Sequence, residues 1–211
     1  HPDESQRREA VRTIQAALRV AGWLGTYAID TGPGSLSPNG PWFPHPYNYK
    51  AQARDQLVKT LRECAPAPEE NGVILGLESH MLVTLKTPEI ARDVLDAVGS
   101  RWVRCDFDPV NWITLEQIYD TGSALDAMID LLGDRIASAH AKDCVIWDRL
   151  TLHLDVVAAG QGLLDYRTFL RRMEELNPEY PVIVEGAALD ELPAVSAFLH
   201  QTAADLGIRV F

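Results

Sequence analysis

Four short apolar runs in this chain each stop, where the run meets a loop, at a side chain able to ligate a metal. They are Val-Ile-Leu-Gly-Leu-Glu78, Val103-Arg-Cys-Asp-Phe-Asp108, Ile136-Ala-Ser-Ala-His140 and Val182-Ile-Val-Glu185. Near-continuous apolar runs of strand length are the pattern of parallel strands buried on both faces. The intervals of 30, 32 and 45 residues between the four polar ends each hold a strand, a helix and a pair of loops. In sheets of this kind chemistry gathers at the C-terminal ends of the strands, which points to one site assembled from four loops. Three carboxylates and one imidazole form a hard, oxygen-rich set that suits Mn²⁺, Mg²⁺ or Co²⁺ better than a thiolate-loving ion.

Between the apolar runs the period changes to that of helices. Asp3 and Gln6 form a capping box before Val11, Ile14, Leu18 and Ala21, which recur at helical spacing. Trp23 to Ile29 reads as a strand, and Asp30 to Asn48 as a long loop rich in Gly, Pro and aromatics, a kind of segment that is usually functional or disordered. A helix is expected from about Lys50 to Cys64, with Ala-Pro-Ala-Pro as the link to the run ending at Glu78. Thr87 followed by Pro88 predicts an N-cap and first helical residue, with Ile90, Val94, Leu95 and Val98 turned inward. Leu125, Met128, Ile129 and Leu132 mark the next helix, a long loop closes on Gly160-Gln-Gly162, and Tyr166, Phe169, Leu170, Met173 and Leu176 line another. Leu192, Val195, Phe198 and Leu199 mark the last. Strand and helix patterns alternate throughout, so the class is α/β with a parallel sheet in one domain, residues 1–211.

Composition narrows the partners. A net charge of -11 with no Lys- or Arg-rich stripe argues against a nucleic acid partner. Cys64, Cys105 and Cys144 are odd in number and lack CxxC spacing, so all three are expected to be thiols in a reducing, cytoplasmic compartment. No apolar stretch is long enough to span a bilayer, and the polar start is no signal peptide, which leaves a protein with no membrane partner.

Glu78 in Leu-Glu-Ser-His, Asp108 in Asp-Pro-Val-Asn, His140 in His-Ala-Lys-Asp, the Gly-Gln-Gly turn and Glu185 in Val-Glu-Gly resemble the motif set of the xylose isomerase-like TIM barrels. Within that superfamily they look closest to the sugar phosphate isomerase/epimerase group, which includes ketose 3-epimerases. The resemblance implies a (β/α)₈ barrel. Such barrels have eight strands in typically about 250 residues, whereas five strands are legible here and the chain starts at His1 rather than Met. Three further strands are therefore expected before His1.

The resemblance also implies the site. It carries Glu78, Asp108, His140 and Glu185 over as ligands of one divalent ion, Mn²⁺ first, with Mg²⁺, Co²⁺ or Zn²⁺ as alternatives. Asp106 competes with Asp108, because the two share a strand face at period two; the family motif favours Asp108. Glu78 and Glu185 are expected to be the catalytic proton carriers. Lys142, two residues beyond His140, either places an ammonium beside a substrate oxygen or pairs with Asp143 at the rim. His80 either donates to a substrate hydroxyl or holds a loop. Asn111 stands where ketose epimerases and apurinic endonucleases commonly have His, so a neutral hydrogen-bonding group would meet substrate there. Trp112, Trp42, Phe43 and Trp147 are available as apolar walls for sugar rings or as loop core, and His153 and Asp155 are assigned no role.

The implied activity is a metal-dependent isomerase or epimerase of a sugar or keto-sugar, working by proton abstraction next to a chelated carbonyl. A lyase acting on a keto-glycoside through the same enolate is the alternative. An apurinic endonuclease is disfavoured by the acidic charge, by Asn111 and by the lack of an Asp-x-His pair after Asp148. The expected partner is a small carbohydrate, and self-association as a homo-oligomer is left open.

Overall fold

Helix α1 (Glu4–Leu24) begins as its capping box predicts, with the Asp3 carboxylate accepting from the Gln6 amide at 2.9 Å. In the computed structural model, which describes all residues from His1 to Phe211, this helix runs through Trp23 and Leu24, where a strand was expected. The cause is Gly25, which takes the left-handed conformation at φ 68° and ends the helix with backbone bonds to Ala21 and Gly22. Strand β1 starts only at Ala28 and ends at Thr31.

Two compact units make up the chain, His1–Phe107 with Arg135–Ala137, and Asp108–Asp134 with Ser138–Phe211. In the first, α1 and β1 are followed by a long loop that closes in a 3₁₀ turn at Pro46–Tyr49. That loop is pinned by buried Asn48, whose amide donates to Ser35 Oγ, Phe43 O and Leu82 O. Helix α2 (Ala51–Cys64) agrees with its apolar spacing. The Ala-Pro-Ala-Pro link is instead the start of a short helix, α3 (Pro66–Asn71), because proline at the first helical position loses no hydrogen bond. Strand β2 (Ile74–Glu78) is buried along its whole length. Helix α4 (Pro88–Val98) has Thr87 as its N-cap and buries Ala91, Val94 and Leu95, while Ile90 and Val98 lie at the margin of that face. Strand β3 (Val103–Phe107) follows, and Arg135–Ala137 make up the rest of the unit.

In the second unit a 3₁₀ turn (Pro109–Trp112) leads to helix α5 (Thr121–Leu132), which buries the four apolar residues that announced it. Strand β4 (Ile136–Ala141) follows, wholly buried. The long loop expected after it contains an antiparallel hairpin, β5 (Asp143–Ile146) with β6 (Leu154–Val157). Its strands are four residues each and partly exposed, too short for a clear alternation of apolar and polar positions. Helix α6 (Tyr166–Leu176) is capped by Asp165, strand β7 is Val182–Val184, and helix α7 (Leu192–Asp205) ends the regular structure. Of the four α7 residues expected inside, Val195 is buried, Phe198 packs edge-on against Tyr166 at 5.1 Å, Leu199 is half-buried and Leu192 is exposed.

The sheet runs β1-β2-β3-β4-β7, and β1 with β2, β2 with β3 and β4 with β7 pair in parallel. Register sets the site. His140 lies opposite Ile183 and Ala141 opposite Val184, and the Glu185 amide donates to Ala141 O at 3.1 Å, which brings Glu185 beside the end of β4. No helix of the protein is long and apolar enough to cross a membrane.

Candidate active site

His140 and Lys142 are two residues apart at the end of β4, so both side chains leave the same face of the sheet. His140 Nδ1 lies 2.9 Å from Glu185 Oε2 and 3.7 Å from Asp108 Oδ2. Lys142 Nζ lies 2.5 Å from Asp108 Oδ2 and donates to Glu185 Oε2 at 3.0 Å. Asp108 follows β3 directly in extended backbone, and its side chain is completely buried. Its Oδ1 has no hydrogen-bond donor, and the Lys142 contact reaches Oδ2 by distance alone, without the angles of a hydrogen bond.

Glu78 is the last residue of β2 and is buried. One ligand atom from each of Glu78, Asp108, His140 and Glu185 lies within 4.8 Å of the other three. The group contains Asp108 and not Asp106, which is the register partner of Glu78 in the β2–β3 ladder. Gathering three carboxylates is costly without positive charge nearby. The Lys142 ammonium answers part of that charge and leaves Asp108 Oδ1 unsatisfied. A divalent ion would complete the balance, and the donor set, three carboxylates and an imidazole, fits one.

The electrostatics follow from these contacts. His140 first, and then Lys142, outweigh burial and hold the Glu185 carboxyl down to about 2. Burial alone would lower the Lys142 ammonium, but the Asp108 and Glu185 carboxylates overcome it and keep its pKa above that of a free lysine. Both groups are ionised at neutral pH.

Lys142 does not pair with Asp143. The buried Asp143 carboxylate instead accepts from the backbone amides of Cys144, Gly160, Gly162 and Leu164 at 2.8 to 3.1 Å. It thereby ties the Gly-Gln-Gly turn and the approach to α6 to the end of β4. Burial pushes its pKa up against those four bonds. The turn cannot tolerate a side chain at its second glycine, because a Cβ on Gly162 would sit 2.3 Å from Asp143 Oδ1 and 2.4 Å from Cys144 O. Tyr166 adds a second tie, its hydroxyl donating to Lys142 O at 2.9 Å. Sequence reading singled out the Gly-Gln-Gly turn and Tyr166 without this role for either. A glycine pair following a strand-end Asp was the available signal.

The remaining candidates fall in different places. His80 Nδ1 accepts from the Leu82 amide at 3.1 Å, so at least that nitrogen holds a loop. Asn111 and Trp112 are buried in the 3₁₀ turn that starts after Asp108. Trp42 packs over Gly32, where an added Cβ would meet its ring at 2.5 Å, which makes it loop core. Phe43 and Trp147 are about half exposed, and Trp147 donates through Nε1 to Asp155 across the hairpin. Neither His153 nor Asp155 belongs to the group of four.

Comparison with known proteins agrees with this architecture. No curated protein matches the chain. Among solved structures, it is similar to a xylose isomerase-like TIM barrel protein from Mycobacterium smegmatis in complex with magnesium, at 18% identity and a TM-score of 0.75, covering 96% of this chain and 68% of that one. It is similar to the D-psicose 3-epimerase of Clostridium cellulolyticum H10, solved with D-tagatose, at 17% identity and a TM-score of 0.72, covering 96% and 73%. It is also similar to an IOLI protein with a bound zinc atom, at 19% identity and a TM-score of 0.69, covering 99% and 73%. Identities this low speak for the fold alone, and the five-stranded sheet with its helices corresponds to part of a (β/α)₈ barrel. The family model for the xylose isomerase-like TIM barrel matches residues 1–201, nearly the whole chain, and the protein belongs to that family.

Proposed function

We propose that this protein is a divalent-metal-dependent isomerase or epimerase of sugars or keto-sugars, with Glu78, Asp108, His140 and Glu185 holding a single ion, Mn²⁺ by preference. The observation that carries the proposal is the convergence of these four ligand-type side chains. A D-psicose 3-epimerase among the structural neighbours, and others solved with magnesium and zinc, are in keeping with it. When bound, the ion would polarise a substrate carbonyl and its neighbouring hydroxyl and so acidify the adjoining carbon.

The chain's own residues supply the rest. Glu185, ionised and about half exposed, is in the form that accepts a proton from that carbon. Glu78, from a different strand, is the second carboxylate; removal by one and return by the other from the opposite face gives epimerisation. Lys142 offers an ammonium to the oxygen on which negative charge develops. His80, Asn111 and Trp112 are the proposed substrate neighbours, Asn111 as a neutral hydrogen-bonding group. The substrate is a small carbohydrate, and the proposed setting is the cytoplasm.

The test is incubation of the Mn²⁺-loaded protein with a panel of ketoses and keto-glycosides in D₂O, followed by NMR. Deuterium at a carbon next to a carbonyl, with the sugar otherwise intact, is the expected result. Deuterium accompanied by a released aglycone would assign the lyase reading instead. No exchange into any member of the panel, with metal bound, would overturn the proposal.

A further inference from the structure

We infer that Lys142 is a built-in cation that competes with the divalent ion for Asp108 and Glu185, and that metal binding frees its ammonium to meet an anionic oxygen of the substrate. The inference deepens the metal-dependent reading and rests on it. Lys142 Nζ lies 2.5 Å from Asp108 Oδ2 and 3.0 Å from Glu185 Oε2, two of the four ligand side chains. Asp108 is completely buried and the lysine side chain is 8% exposed, so little water screens the contact. An ammonium this close to a carboxylate oxygen disfavours a dication on that same oxygen, because the two cations repel. An ion seated on Asp108 Oδ2 or Glu185 Oε2 therefore displaces Nζ from that oxygen.

Displacement is local. The lysine backbone is held, since Tyr166 donates to Lys142 O and the neighbouring Asp143 is fixed by four amides. Only the flexible four-carbon stem has to move, so the freed ammonium stays beside the same carboxylates. Two consequences follow. The metal-free protein is stabilised by a lysine that stands in for the ion, and a ligand that takes up the freed ammonium raises metal affinity in turn, as reciprocity of coupled binding requires.

The experiment measures Mn²⁺ affinity by calorimetry, and melting temperature with and without Mn²⁺, for the wild-type protein, Lys142→Met and Lys142→Arg. Lys142→Met keeps the stem and removes the charge. It is expected to bind Mn²⁺ at least about tenfold more tightly than wild type, a modest fraction of the repulsion between an ammonium and a dication at these distances. Its metal-free form should melt lower than wild type and recover more on loading, because buried Asp108 has lost its counter-charge. Lys142→Arg, which retains the charge, should stay close to wild type in affinity. If wild type binds Mn²⁺ and Lys142→Met binds it equally or more weakly, the competition is refuted while the metal centre stands. If none of the three proteins binds a divalent ion, the metal centre itself fails, and the inference with it.

Discussion

Glu185 shows how a single side chain records its surroundings. Its carboxyl is held down to about 2 by His140 and Lys142, against an unfolded value of about 4.3. A depressed carboxyl contributes stability that is fully present above the unfolded pKa and disappears as pH falls through the folded one. The metal-free wild-type protein should therefore lose stability between about pH 4.5 and pH 2, and Glu185→Gln should flatten that part of the profile. Urea midpoints at several acid pH values check this, and parallel profiles would show that the ion pairs contribute nothing. On turnover the two glutamates should weigh more than the lysine. Glu78→Gln and Glu185→Gln keep size and an oxygen donor but remove basicity, so each is expected to lose at least about 10²-fold in kcat at saturating Mn²⁺, the lower bound for a general base. Lys142→Met should lose less if the ammonium only steadies an oxygen. Steady-state kinetics with bound metal quantified decides it, and near-normal turnover in either metal-loaded Gln variant would remove that glutamate from the proton-transfer path.

Elements, rather than residues, carry the geometry that aims these groups. The end of β4 is locked to the Gly-Gln-Gly turn by Asp143, so Gly162→Ala, with its Cβ 2.3 Å from that carboxylate, should cost about 1–3 kcal/mol as an overpacked site. Asp143→Ala should cost more, since four backbone amides lose their acceptor at about 1–3 kcal/mol for each that stays buried and unsatisfied. Chemical denaturation of both variants provides the check, and unchanged midpoints would mean the turn is held by other contacts. Much of this layer is legible from sequence, because local signals govern it. Thr87-Pro88 caps α4 where expected, and the buried runs end at Glu78 and next to Asp108. Failures came where a local signal was overridden or faint. The apolar residues Trp23 and Leu24 look like strand but sit in the last turn of α1, at 80% and 75% exposure, because Gly25 and not hydrophobicity ends the helix. The β5–β6 hairpin is too short and too exposed to show a period. At the site, the four converging side chains follow from strand-end position, whereas the choice of Glu185 over Asp143 as a partner of Lys142 depends on the β4–β7 register, which no local pattern encodes.

At the scale of the whole molecule, fold alone does not set chemistry, which depends on what the strand ends bring together. Membership in the xylose isomerase-like family accounts for the parallel βα order and leaves the chemistry to the residues on it. Three carboxylates and an imidazole converge, and a lysine contacts two of the carboxylates, a donor set that a divalent ion would fit. The central claim, that proton transfer here depends on one ion held by those four side chains, is tested most directly by stripping the protein with a chelator and titrating Mn²⁺ back while following solvent-deuterium exchange into the accepted sugar. Exchange should vanish on stripping and return in full at one equivalent of ion per chain. Exchange that persists in the stripped protein would contradict the account.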